Sequence, residues 1–220
     1  MKFITATILI ILFGFTDLFA QEVYQYQWGD SPLRSRENYY LMKKKLEENQ
    51  IQEAKKACEW LLKNTPQLHP NLYYYGIKVF EQYNLTLKDS LQHVLTQDSL
   101  ILICDLYAKN FEKDEKKALE YKAAFVIKFW HKRKEKFIEM FELYTKIFTS
   151  FQKDVDGVFI KNYMAIATSV FKKKYINDIK LKQIYLALKE ISTQKMIENK
   201  ETWTTVLAFL DKNIKVLEVK

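Results

Sequence analysis

Residues Ile51–Tyr83, IQEAKKACEWLLKNTPQLHPNLYYYGIKVFEQY, decide the fold. Ile51, Ala54, Cys58, Leu61 and Leu62 recur at helical spacing and share one side, with Ala57 and Trp60 beside them. Asn64-Thr65-Pro66 ends that helix, because proline cannot continue it and biases the residue before it away from the helical region. His69-Pro70 starts a second helix, with Pro70 at an early helical position where a missing N–H costs nothing. Leu72, Tyr75, Gly76, Val79, Phe80 and Tyr83 give this helix its apolar stripe. Glycine inside a helix costs about 1 kcal/mol against alanine, so Gly76 predicts a close helix–helix approach. Met42 lies 34 residues before Gly76, a spacing that reads as the period of a helical repeat.

The same pattern extends outward. Upstream, Ser31-Pro32 reads as an N-cap and a first-turn proline, and Asn38, Leu41, Met42 and Leu46 follow helical spacing. Downstream, Leu91–Phe111 reads as a helix, with Asp98 as an internal cap, and Asp114 caps the next helix, which ends near Lys132. Phe137, Phe141, Tyr144, Phe148 and Phe151 form a stripe that Asp156-Gly157 interrupts. Further stripes follow from Phe159, from Leu181 after an Asn177-Asp178 cap, and from Trp203 after Asn199. With 4 glycines and 3 prolines the chain cannot furnish the many turns of an all-β fold. The reading is all-α: about nine helices in antiparallel hairpins, stacked as a short solenoid over 35–220. Residues 21–34 form an extended aromatic leader.

Lys2, the uncharged run Phe3–Phe15 and Leu18-Phe19-Ala20 have the layout of a secretory signal, with cleavage expected after Ala20. The apolar run is shorter than the roughly 20 residues a membrane helix needs, so no transmembrane span is expected once the signal is removed. No cysteine stands near the cleavage point to take a lipid anchor, so the expected location is the periplasm or cell envelope. Net charge is +8, but bases and acids interleave, as in His131–Lys136, which is the pattern of a solvated helical surface. Cys58 and Cys104 sit in apolar helical runs, where cysteine usually packs as a small buried hydrophobe; export alone makes a bridge chemically permissible.

No reaction is visible. His69, His93 and His131 are scattered, and the His93/Asp89 pair builds no recognisable metal motif. There is no nucleophile elbow, phosphate loop or dinucleotide fingerprint, so no catalytic residue, cofactor or metal is assigned. Phe125–Arg133 is the best nucleic-acid candidate, but its aromatics fall at core spacing and no nucleic-acid partner is expected.

Glu53–Tyr83 resembles the tetratricopeptide repeat: Ala54 stands at the small residue of its second helix, Pro66 at its terminal proline, and Gly76 at the small residue of the next first helix. The usual first-helix aromatic is Asn38 here, and the register fades after Phe80. WLLKNTPQLHPNLYYYGIKVFE is similar to the opening of a group of exported tetratricopeptide-like proteins of Bacteroidota. DSLILICDLYAKNF and GVFIKNYMAIATSVFKKKYIND resemble later elements of that group, although Lys109 is nearest to where its arginine stands. The resemblance implies a non-enzymatic scaffold or adaptor that holds an envelope protein or peptide segment, with no catalytic residues to carry over. Trp60, Tyr73, Tyr74 and Tyr40 are the candidate partner-binding residues. The alternative is an envelope small-molecule or glycan binder that uses exposed aromatics such as Tyr39, Tyr40, Tyr73 and Tyr74.

Overall fold

The structure is a computed structural model that describes residues 24–218. The signal segment 1–20 and its cleavage point lie outside the described residues. Nine α-helices and no strand occur among the described residues: α1 Pro32–Glu47, α2 Ile51–Asn64, α3 Pro70–Thr86, α4 Ser90–Asn110, α5 Glu115–Trp130, α6 Phe137–Phe151, α7 Gly157–Lys172, α8 Asp178–Gln194 and α9 Lys200–Ile214. The links between them are three to six residues long, so each helix turns back onto its predecessor. Sequential helices pack in order, and two further contacts join second neighbours, α1 with α3 and α7 with α9.

Local signals fix most helix ends. Asp89, Asp156, Asn177 and Asn199 each accept a hydrogen bond from a backbone N–H in the first turn that follows. His69 does the same for α3, its Nδ1 accepting from Asn71 N–H at 3.0 Å. Two helices end on a left-handed residue, Asn49 at φ 57° after α1 and Lys174 at φ 62° after α7. The next amide then reaches back five residues, Gln50 N–H to Lys45 C=O at 2.8 Å and Tyr175 N–H to Val170 C=O at 3.0 Å. This is the Schellman closure, which satisfies carbonyls that a helix end would otherwise leave open.

Three sequence expectations change. α1 begins at Pro32, so the extended leader covers fewer residues than 21–34; Pro32, with φ already set, opens the helix. Asp98 is not a cap but lies inside the continuous α4, where its carboxylate accepts from Arg133 Nη1 at 2.8 Å. Asp114 precedes α5 without capping it, because its carboxylate accepts the Tyr107 hydroxyl at 3.0 Å.

One apolar core runs from Tyr39 in α1 to Leu210 in α9. Leu61, Leu68, Leu72, Leu100, Ile160, Leu181, Val206 and Leu210 have no exposed surface, and full burial of such a side chain stabilises by about 1.5–3 kcal/mol. Gly76 meets its expectation: a Cβ there would lie 3.2 Å from Cys58 Sγ, so α3 rides close over α2. Gly157 makes the equivalent approach at the far end, where a Cβ would lie 2.8 Å from Val206 Cγ2 of α9. Cys58 and Cys104 are buried and free, and burial pushes both thiols up to about 12, which keeps them neutral and unreactive.

Candidate functional site

The four aromatic candidates separate into three settings. Tyr73 belongs to the core: it is fully buried and stacks on Tyr107 at 5.0 Å and 6°. Its hydroxyl donates to Pro66 C=O at 3.0 Å and accepts from Asn110 Nδ2 at 2.9 Å, so its surface and its polar atom are both occupied. Trp60 is half-buried on α2, and the Arg34 guanidinium covers its ring at 4.9 Å. Tyr40 and Tyr74 are exposed, at 63% and 38%.

Tyr40 and Tyr74 belong to one surface. A run of ring contacts crosses from α1 to α3: Tyr40 on Tyr39 at 6.1 Å, Tyr39 on Tyr75 at 6.3 Å, and Tyr75 on Tyr74 at 5.4 Å. All three contacts are edge-to-face, the arrangement that ring quadrupoles favour. The direct packing of α1 on α3 makes the run possible. Lysines interleave with it. Lys43 Nζ lies 5.2 Å from the centre of the Tyr75 ring, and Lys78 Nζ 4.3 Å from that of Tyr74. No carboxylate of the described residues comes within ion-pair distance of either lysine. The Tyr74 hydroxyl raises the pKa of Lys78, against a smaller opposing effect of burial. Tyr121 of α5 stands close enough to both to feel their charges, and its own pKa is raised, first by burial and then by Tyr74. The result is a ring-lined, lysine-bearing face across α1 and α3 with Tyr121 of α5 at its border, and Glu37 and Glu47 stand beside Tyr40 and Lys43 on it.

The leader closes one edge of that face. Tyr26 stacks on His69 at 4.3 Å and 14° and on Trp28 at 5.1 Å and 10°, and its hydroxyl meets Tyr39 Oη at 3.2 Å. Gln27 N–H donates to Leu68 C=O at 2.8 Å. Burial, and then the Tyr26 bond, raises the Tyr39 phenol well above its usual range, so it remains neutral.

Sequence reasoning found Tyr40 and Tyr74 but missed Lys43, Lys78 and Tyr121. A local signal for the lysines was present, since Tyr39/Lys43 and Tyr74/Lys78 are both i, i+4 pairs on a helix surface. Tyr121 had none, because only tertiary packing brings α5 alongside α3.

The other candidates are engaged elsewhere. His93 closes the α3–α4 link, with Nδ1 3.1 Å from Asn84 Oδ1 and Nε2 3.0 Å from Leu87 C=O, while Asp89 caps α4. Among the described residues no three His, Cys, Asp or Glu side chains gather to hold a metal. Phe125 and Trp130 turn into the core, Phe129 stacks on Phe125 at 5.8 Å, and Arg133 is held by Gln97 and Asp98. No described helix is long and apolar enough to cross a membrane. Compared with known proteins, the chain matches no family model, no curated protein and no solved structure.

Proposed function

We propose that the protein is an exported, tetratricopeptide-like helical scaffold that holds a protein or peptide segment of the cell envelope on its α1–α3–α5 face. The reading rests on one observation above all: exposed Tyr40 and Tyr74 joined by ring contacts and flanked by Lys43 and Lys78, which have no carboxylate partner among the described residues. Tyrosine offers large, stiff contact area at low entropic cost, and flanking charges steer encounter. Stacked hairpins present such faces to extended ligands. The signal-like residues 1–20 supply the address, and no catalytic role is assigned.

The experiment places a photo-crosslinker at Tyr40 or Tyr74 in the full chain, native signal included, and at Ile197 as an exposed control. The reading requires one defined adduct from the first two positions, absent from Ile197 and lost in Lys43→Glu/Lys78→Glu. Identical adducts from all three positions would overturn it. N-terminal sequencing of the fractionated protein tests the address, with Gln21 expected as first residue.

A second reading, an envelope glycan or small-molecule binder, draws support from the exposure of Tyr40 and Tyr74 alone; Tyr39 and Tyr73 are buried and offer no stacking face. Glycan binding that survives Lys43→Glu/Lys78→Glu and fails in Tyr40→Ala/Tyr74→Ala would favour it.

A further inference from the structure

Second-neighbour packing joins α1 to α3 and α7 to α9, but α5, midway along the stack, makes no comparable contact with α3 or with α7. Between α5 and α7 lies a cleft of about 270 Å³. Tyr144 and Ile147 of α6 and Phe159 of α7 line its floor, and Ala123 and Ala124 of α5 its wall. The Tyr144 and Phe159 rings stack at 4.7 Å and 18°, and the Tyr144 hydroxyl is tied to Ala123 C=O at 3.3 Å, so the floor is rigid.

The rim is charged against the rest of the molecule. Glu120, Asp154 and Asp156 line it with Lys116. Three carboxylates against one ammonium leave two net negative charges, on a chain whose formal charge is +8. Lys116 Nζ spans the mouth, 3.7 Å from Glu120 Oε1 and 3.8 Å from Asp154 Oδ2. Both distances exceed a hydrogen bond, so Lys116 is a weak occupant of a site that favours cations. Asp156 is committed in part, accepting Phe159 N–H at 2.6 Å.

We propose that this cleft binds a cationic head on a slim apolar stem, a protonated amine or a guanidinium, with the head at Glu120 and Asp154 and the stem on half-buried Phe159 and exposed Val158, above the buried Tyr144. The volume falls just below the roughly 300–1,000 Å³ of drug-sized pockets, which suits a ligand the size of one long side chain. Free amines and the arginine or lysine side chains of a polypeptide share this chemistry. The site shares α5 with the scaffold face but none of the face's residues, and its probes read Ala124 and Asn162 rather than Tyr40 and Tyr74, so its failure leaves the scaffold reading untouched.

Calorimetry and backbone NMR on the full chain carry the test, with phenethylammonium, its neutral counterpart 2-phenylethanol, Nα-acetyl-arginine amide and an arginine-bearing alanine peptide as probes. Saturable binding of a cationic probe is expected, with shifts at Ala124 and Asn162, and at least about tenfold weaker binding of the alcohol. Glu120→Gln/Asp154→Asn should weaken the cation about tenfold, since each half-exposed ion pair contributes a small factor. Ala124→Leu fills the wall from an exposed position and should abolish binding at an unchanged melting temperature. If the double variant melts earlier, Asp154→Asn alone, on an exposed side chain, still reads the charge. Tighter binding of the arginine peptide assigns the site to a polypeptide side chain, and tighter phenethylammonium assigns it to a free amine. The proposal is overturned by equal binding of the alcohol, by variants that bind as the parent does, or by no saturable binding of any cation.

Discussion

Tyr73 and Tyr144 are the same residue in the same local circumstances, set in two different regions. Each is all but fully buried on a helix, and each stacks on one aromatic neighbour, Tyr107 at 5.0 Å and Phe159 at 4.7 Å. Each hydroxyl donates to a backbone carbonyl, Pro66 at 3.0 Å and Ala123 at 3.3 Å. Their surroundings differ. Tyr73 lies where α3 is gripped by α1, α2 and α4, and Asn110 of α4 adds a second hydrogen bond. Tyr144 lies where α5 and α7 stay apart, and it lines a cleft. Burial of one side chain therefore does not establish that its neighbourhood is closed.

Truncation should separate the two by the largest margin available. Removing a buried aromatic ring costs about 3–5 kcal/mol, the upper end where the site cannot collapse or admit water. Tyr73→Ala belongs at that upper end, and Tyr144→Ala should cost about 1 kcal/mol less because the void joins a cleft that water reaches. Chemical denaturation of both variants measures it. Equal losses would mean that the cleft is sealed in solution, and the distinction between the two regions would then collapse.

The glycines offer the next test. Gly76 and Gly157 both sit where one helix rides close over another, but the approaches differ, 3.2 Å to Cys58 Sγ against 2.8 Å to Val206 Cγ2. At Gly76 the helix-propensity gain of alanine, about 1 kcal/mol, opposes a contact that a shift of a few tenths of an ångström relieves, so Gly76→Ala should be near neutral. Gly157→Ala has less to gain in the first turn and must push a fully buried valine, so a loss of about 1–3 kcal/mol is expected. A larger loss at Gly76 would show the α2–α3 contact to be the stiffer of the two.

These contrasts explain what could be read in advance. The apolar periods of α1 to α9 are local, so helix number and the all-α class were visible in the sequence. Pro66 and Gly76 act through the backbone and announced themselves by residue type. The side chain of Asp98 could not be placed, because its partner Arg133 is 35 residues away and no local pattern records that distance. The same holds for the cleft, whose lining comes from α5, α6 and α7 and the turn before α7. Gly157 read as a break and proved also to be a packing contact, since α9, which it touches, lies some fifty residues on. The face of Tyr40 and Tyr74 was half visible, as residues but not as a surface.

The leader responds to pH through His69, which has no counterpart at the far end. Burial lowers the His69 pKa, against the opposing effects of a hydrogen bond to the Tyr24 backbone and the charge of Asp114. The folded state thus favours neutral imidazole, whose Nδ1 accepts Asn71 N–H; a proton there would remove the cap and set positive charge at a helix N-terminus. A base with a depressed folded pKa contributes stability that is present above its ordinary value of about 6.5 and is lost as pH falls toward the folded value. Thermal melts from pH 7.5 to 5 should show a small decline that His69→Asn removes, because asparagine still caps the helix but does not titrate. A parallel decline in both proteins would place the titration elsewhere.

The smallest effect compares the two left-handed closures. Asn49 and Lys174 both stand at positive φ, 57° and 62°, and each ends a helix with the same backbone bond. Asparagine visits that region with modest strain, whereas lysine pays for the approach of Cβ to the following carbonyl, about 1 kcal/mol or more. Glycine relieves the strain but adds freedom to the unfolded chain, which returns part of the gain. Lys174→Gly should therefore stabilise by about 0.5–1 kcal/mol and Asn49→Gly by a few tenths at most. Both side chains are exposed, so no packing change confounds the comparison. If Asn49→Gly gains as much as Lys174→Gly, side-chain identity at the closure is irrelevant and backbone strain is not what distinguishes the two ends of the stack.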